Sequence, residues 1–300
     1  MSVEARFRLT QAVLDTLETH YSNMTLQFWE QPFEKIDFEK RITNILYWVD
    51  LAIQEHRSLH SIDPVWVMSQ IMAESLFCEF AMSASLAAGI CQFMPGTATR
   101  GYDMVIAGSL PAHHKPPYRK PELADSLNRY HDLISERSRM RKATSDAVTF
   151  DLDTALEWLA NGKNGKKPAA AQIERNRQLE EINQKIRQAR SDYLNYVEAN
   201  ITELGERDIF RHTDFFVQFD ERLTYKKPIY AMVHMLANAL RVRQGNILSA
   251  AAAYNAGLSR TWTDEALYTR YGTLPNFNET GTYLSRIVAN YEEIASRFYG

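Results

Sequence analysis

The stretch SIDPVWVMSQIMAESLFCEFAMSASLAAGICQFMPGTA, residues 61–98, sets a carboxylate, Glu74, inside a run of apolar and small residues. Its first residues carry a helix start signal: Asp63 is a good N-cap, and Pro64 fills the first turn, where a missing N–H costs nothing. On a helical wheel Glu74 falls next to Val67 and Ile71, while Val65, Met68, Met72 and Leu76 cover most of the far side. A helix that is apolar nearly all round is a buried one. Glu74 lies in its last turn, facing a loop of Ser, Ala and Gly. A carboxyl among apolar side chains is costly to ionise, so its pKa rises and it can act as a general acid near neutral pH. The alternative is a Glu that swings out to solvent at the helix end or pairs with an Arg from elsewhere in the chain.

Helical signals dominate the rest. Leu9, Val13, Leu14 and Leu17 recur at helical spacing, as do Ile42, Ile45, Leu46 and Val49. Period-two runs of β-branched residues are hard to find, so the expected fold class is all-α. Downstream, ILSAAAAYNAGLSRTW puts Tyr254 and Asn255 at the end of an alanine-rich helix that Gly257 terminates, and LPNFNETGTYLSRIVANYEEI opens another helix near Glu279 and Thr280.

Composition narrows the function classes. Three hundred residues with a 45% hydrophobic fraction can bury a real core, and a net charge of -3 argues against nucleic acid as a partner. Two cysteines, Cys78 and Cys91, make no disulfide framework, and they and the eight histidines lack metal-ligand spacing, so no metal or cofactor is expected. The cysteines are expected as separate buried thiols, with a pairing between them left open. No stretch reaches the roughly 18 apolar residues of a membrane span. The N-terminus, MSVEARFRLTQAVLDTLETHY, shows no basic-then-apolar signal region.

Three blocks, in order along the chain, carry a resemblance. The first has IDP at 62–64, ES at 74–75 with Phe77, Ala81 and Ser83, then Gly89, Gln92, Met94 and Pro95; the second is AAYNAG at 252–257; the third is ET at 279–280 with Tyr283 and Arg286. These segments resemble the catalytic domain of the soluble lytic transglycosylases, lysozyme-like enzymes that cleave bacterial peptidoglycan. The resemblance covers roughly residues 40–104 and 219–300. It implies that Glu74 is the single catalytic acid, that Ser83 is a hydroxyl near it, and that Gln92 and Met94 line the sugar cleft. Tyr254 corresponds to a cleft tyrosine beside the acid, Glu279 to a further polar residue of the saccharide site, and Asn255 either to a cleft residue or to a helix terminator. Leu86 stands where the family usually has Gly, which questions the loop geometry if that position needs a positive φ. Cys91 stands for a usual Met, and Cys78 and Glu79 for a usual Asn-Pro pair.

The resemblance implies cleavage between N-acetylmuramic acid and N-acetylglucosamine with formation of a 1,6-anhydro sugar, Glu74 serving first as acid and then as base. Paired-carboxylate glycosidases need a second acid. If Glu279 reached the opposite face of the sugar it could activate water, and the protein would be a hydrolase resembling goose-type lysozyme. A third reading is a silent glycan-binding component of a virion or secretion machine. The site of action is the bacterial cell wall, in the periplasm; delivery would be by a phage particle or a specialised secretion system, unless a signal has been removed from the chain.

The expected organisation is an N-terminal helical segment over 1–39, the first part of the transglycosylase domain over 40–104, an inserted helical hairpin over 105–218, and the second part of the domain over 219–300. The insertion begins with SLPAHHKPPYRKPELA, a Pro-rich connector in which His113 and His114 are expected to face solvent. Helical spacing resumes at Leu123, Leu127, Tyr130 and Ile134. After NGKNGKKP, the residues Leu179, Ile182, Ile186, Ala189, Tyr193 and Tyr196 form a heptad stripe. The tip falls at 161–167, with Lys163, Lys166 and Lys167 near Arg137, Arg139, Arg141 and Lys142 of the first arm. The hairpin, 120–204, would cap the cleft, bind a protein partner, or simply brace the fold.

Overall fold

The computed structural model of the chain describes residues 1–142, 152–162, 166–202 and 208–300. Among these the chain is mainly α, with α1 (Val3–Tyr21), α2 (Phe38–His56), α3 (Pro64–Ser75), α4 (Pro95–Tyr102), α5 (Ser126–Lys142), α6 (Leu152–Ala160), α7 (Lys166–Thr202), α8 (Thr213–Phe219), α9 (Lys226–Val242), α10 (Ile247–Ala256) and α11 (Asn278–Tyr299). Sequence periodicity does not reveal the two-stranded ribbon, β1 (Thr25–Leu26) against β2 (Gln31–Pro32), because two residues per strand are too few to show alternation. Among the described residues no helix is long and apolar enough to cross a membrane.

Two compact units divide the chain: residues 1–106 with 208–300, and residues 107–207. In the first, α3 packs along α11, α2 packs against α9 and α1, and α10 lies against α9 and α11. The four alanines 250–253 of α10 are buried, and their small side chains let these neighbours approach closely. Asp63 accepts from the Val65 N–H at 2.9 Å, which caps α3 as its sequence predicts. Ile42, Ile45, Leu46 and Val49 form the buried stripe of α2. Residues 208–218, expected in the insertion, fold with this unit instead: Phe216 and Phe219 of α8 are buried, and the Phe216 ring lies 5.2 Å from that of Phe80.

In the second unit α5 and α7 pack side by side. Arg129 pairs with Asp192 and Arg137 Nη1 donates to Asn183 Oδ1 at 3.1 Å, so partner numbers fall on one helix as they rise on the other and the pair is antiparallel. The predicted stripe is the buried face of α7 from Ile182 onward, with Ile182, Ile186, Ala189, Tyr193 and Tyr196 all buried, while Leu179 at its start is half-buried. α7 has 37 residues, which at about 1.5 Å per residue gives a rod of about 55 Å. His113 departs from expectation: it is buried, and its Nδ1 accepts the Gly108 and Leu110 N–H groups at 3.1 and 3.4 Å while Tyr196 O–H donates to its carbonyl at 2.9 Å. These bonds convert the Pro-rich connector into a packed turn, whereas His114 stays exposed. Lys163 lies outside the described residues.

Candidate active site

Glu74 sits in the last turn of α3, partly buried, and accepts a 2.7 Å hydrogen bond on Oε1 from the Tyr283 hydroxyl of α11. Burial raises its pKa to about 7, opposed only by the Tyr283 bond, which favours the carboxylate. At neutral pH the protonated and ionised forms are therefore close to equally populated. The helix stops abruptly after it: Leu76 and Phe77 take φ of 51° and 59°, and Trp29 Nε1 donates to the Leu76 carbonyl at 3.1 Å. Two successive bulky residues in the left-handed region are strained, and the buried contacts around them hold that geometry. An arginine does reach the segment, but its partner is Glu79: Arg41 holds the fully buried Glu79 carboxylate through bonds of 3.0 to 3.2 Å.

The loop from Ala81 to Phe93 forms the floor beside Glu74. Ser75 ties it to α3 by donating to the Ile90 carbonyl at 3.0 Å. Ser83 does not bond the acid; its Oγ accepts the Ser85 and Ala87 N–H groups at 3.2 and 3.0 Å and so closes the first bend. Gln92 turns its amide inward, donating to the Ala81 and Gly89 carbonyls at 3.1 and 2.9 Å. Leu86 adopts φ of 69° and is fully buried, so the position does need the left-handed geometry that the missing glycine would give freely, and core packing of the leucine offsets the strain. Met94 is exposed, just ahead of α4.

Sequence reading missed what holds this loop from behind. Arg222 and Asp220 form a fully buried pair, with bonds of 2.9 and 2.7 Å, and Arg222 Nη1 donates to the Leu86 and Phe93 carbonyls at 2.8 and 3.3 Å. Gly89, at φ of 78°, lies so close that a Cβ there would stand 1.7 Å from the Arg222 carbonyl oxygen. The Asp220, Arg222 and Gly89 trio fixes the loop's position from the rear.

α10 supplies the remaining wall. Tyr254 O–H donates to the Cys91 carbonyl at 2.6 Å, and Glu74 is near enough to add to the rise in Tyr254's pKa that burial causes. Burial likewise pushes the Cys91 thiol up, with Glu74 contributing; Cys78 and Cys91 are both buried, and the Cys78 thiol donates to the Phe28 carbonyl at 3.2 Å. Asn255 Oδ1 accepts from the Thr280 hydroxyl at 2.8 Å, which joins the end of α10 to the start of α11, while Gly257 ends α10 at φ of 94°. Glu279 is exposed in the first turn of α11. A cavity of about 340 Å³ brings Met94, Tyr254 and Asn255 together with Tyr102, His234 and Leu258. Another, of about 620 Å³ between Trp48, Phe210 and Tyr230, shares no residue with it.

Residues 52–120 match the family described as Transglycosylase SLT domain. The match contains Glu74 and the whole 81–93 loop, and it stops before the AAYNAG block and the ET block. No curated protein and no solved structure matches the chain. With its mainly α architecture the chain thus carries a lysozyme-like SLT domain, the type that acts on cell-wall peptidoglycan. Tyr283 was legible only as part of the ET block; its bond to Glu74 joins residues 209 positions apart.

Proposed function

We propose that the protein is a peptidoglycan lytic transglycosylase that cleaves the β-1,4 bond between N-acetylmuramic acid and N-acetylglucosamine at the bacterial cell wall. The observation that carries this reading is Glu74 itself, a partly buried carboxyl with a pKa of about 7 whose one hydrogen-bond partner among the described residues is a tyrosine hydroxyl. Such a group holds a proton at neutral pH and can release and regain it.

In the proposed reaction protonated Glu74 donates to the glycosidic oxygen as the bond to the muramoyl C1 breaks through an oxocarbenium-like state. The carboxylate left behind then takes the proton of the muramoyl C6 hydroxyl, whose oxygen attacks C1 and closes the 1,6-anhydro ring. The nucleophile belongs to the substrate, so it acts at high effective molarity and no second carboxylate is needed. Tyr254 and Tyr283 flank the acid, Ser83 and Gln92 shape the loop that meets the sugar, and Met94, Asn255 and Glu279 are assigned to the saccharide contacts at its edge.

The experiment is release of soluble fragments from purified peptidoglycan by the wild type and by Glu74→Gln. Cleavage by the wild type and a loss of at least about a thousandfold in the variant are expected. Near-normal cleavage by a folded Glu74→Gln protein contradicts the assignment.

A further inference from the structure

Trp66, Gln70 and Glu74 follow one another at four-residue steps on α3. That spacing stacks them on one face of the helix, and α3 packs along α11. Gln70 is fully buried, yet neither its amide nitrogen nor its amide oxygen has a hydrogen-bond partner among the described residues. A buried amide without partners is costly and rare in folded proteins. The neighbouring cluster of Trp66, Ala251, Ala252, Tyr283, Leu284 and Ile287 is apolar apart from the Trp66 indole N–H and the Tyr283 hydroxyl.

Burial raises the Tyr283 pKa, and Gln70 opposes that rise as a nearby side-chain donor does, although its amide makes no hydrogen bond among the described residues. Tyr283 gives its single hydroxyl proton to Glu74 Oε1 at 2.7 Å, which leaves its oxygen lone pairs to accept. Gln70 Nε2 is a donor placed next to that acceptor.

We propose that Gln70 is a positioning residue for Glu74: its amide N–H engages the Tyr283 oxygen, keeps the tyrosine O–H aimed at Oε1, and so leaves Oε2 to carry the catalytic proton. The proposal rests on Glu74 as the acid. With that bond made, the chain of donors runs from Gln70 through Tyr283 to the carboxylate. Removing the first donor frees the hydroxyl to rotate, and the carboxylate loses part of the bond that stabilises it. The other titratable groups that face Glu74 are the Cys91 thiol from the loop and the Tyr254 hydroxyl from α10; both are held neutral by burial. No cation among the described residues contributes to its acidity, so the Tyr283 bond is the lever through which Gln70 can act.

The test follows the Glu74 carboxyl by carbon NMR through a pH titration of ligand-free protein, in wild type, Gln70→Met, Tyr283→Phe and the double variant, with thermal unfolding run alongside. Met keeps the volume and removes the donor. Gln70→Met is expected to raise the Glu74 midpoint by about half to one pH unit without lowering the unfolding temperature. In the Tyr283→Phe background the same substitution is expected to add no shift. Where cleavage is measured, the alkaline limb of kcat/KM moves by the same amount as the titration. An unchanged midpoint, or an equal shift in the absence of the Tyr283 hydroxyl, overturns the proposal. The titration needs no turnover: a wild type that cleaves nothing while showing the expected shifts refutes the enzymatic reading and leaves the Gln70 relay standing.

Discussion

Replacing Arg222 with Met tests how the Ala81–Phe93 loop is held. The guanidinium makes two bonds to Asp220 and donates to the carbonyls of Leu86 and Phe93, and both charged side chains are fully buried. Removing one partner of a buried ion pair strands the other charge, at a cost of about 3–5 kcal/mol, and leaving two carbonyls without this donor adds to that cost. The Met side chain restores some apolar packing, so a net loss of about 4 kcal/mol is expected, a large share of the roughly 5–15 kcal/mol that holds a typical domain. The double variant Asp220→Asn with Arg222→Met buries no stranded charge and is expected to be more stable than Arg222→Met alone by about 2 kcal/mol. Chemical denaturation followed by tryptophan fluorescence reads the relevant unit, because four of the five tryptophans, Trp29, Trp48, Trp66 and Trp262, belong to it. A single variant that loses less than about 1 kcal/mol, or a double variant no better than the single, refutes the reasoning.

Other expectations follow from the same geometry. Glu74 has a folded pKa of about 7 against 4.5 when solvated; below 4.5 both states are protonated and nothing is lost, whereas stability falls as pH rises toward 7. Glu74→Gln therefore leaves the unfolding temperature unchanged at pH 4 and raises it at pH 8, by up to about 3 kcal/mol of stability; equal effects at both pH values would contradict the raised pKa. Leu86→Gly relieves about 1–2 kcal/mol of left-handed strain but forfeits a buried leucine worth about 2–5, so denaturation should show a net loss of about 2 kcal/mol within a span of about 0–4; a stabilised variant would show that strain dominates. Glu279→Gln, at an exposed position, is expected to keep peptidoglycan cleavage within about tenfold of wild type. A loss as large as that of Glu74→Gln would instead favour the two-carboxylate hydrolase.

Local signals in the sequence reported on local structure. The Asp63 cap, the Pro64 first turn, the apolar stripe of α2, the alanine-rich α10 with its terminal Gly257 and the heptad face of α7 all depend on residues within a few turns of one another, so periodicity and cap chemistry suffice to read them. The position of Glu74 at the end of a buried helix was legible for the same reason. What escaped was fixed by distant partners. Nothing near Arg222 shows that its guanidinium will reach back to Leu86 and Phe93, nothing near Glu79 names Arg41, and His113 looks like a solvated loop residue until Gly108, Leu110 and Tyr196 close around it. Ser83 and Gln92 illustrate a subtler limit: their segment was readable, but their hydrogen bonds run to the loop backbone, and only the folded loop reveals that. The boundary at 207 depends likewise on Phe216 finding Phe80 across a long separation in sequence.

In the proposed reaction one carboxyl, Glu74, cleaves the glycan with the substrate's own C6 hydroxyl as nucleophile. Mass spectrometry of the soluble muropeptides released from purified peptidoglycan tests it most directly, with Glu74→Gln as the control. The expected products are lighter by one water than hydrolytic muropeptides, lack a reducing end, and are absent with the variant. Release of reducing-end products that depends on Glu74, or release of any product by Glu74→Gln at the wild-type rate, would contradict it.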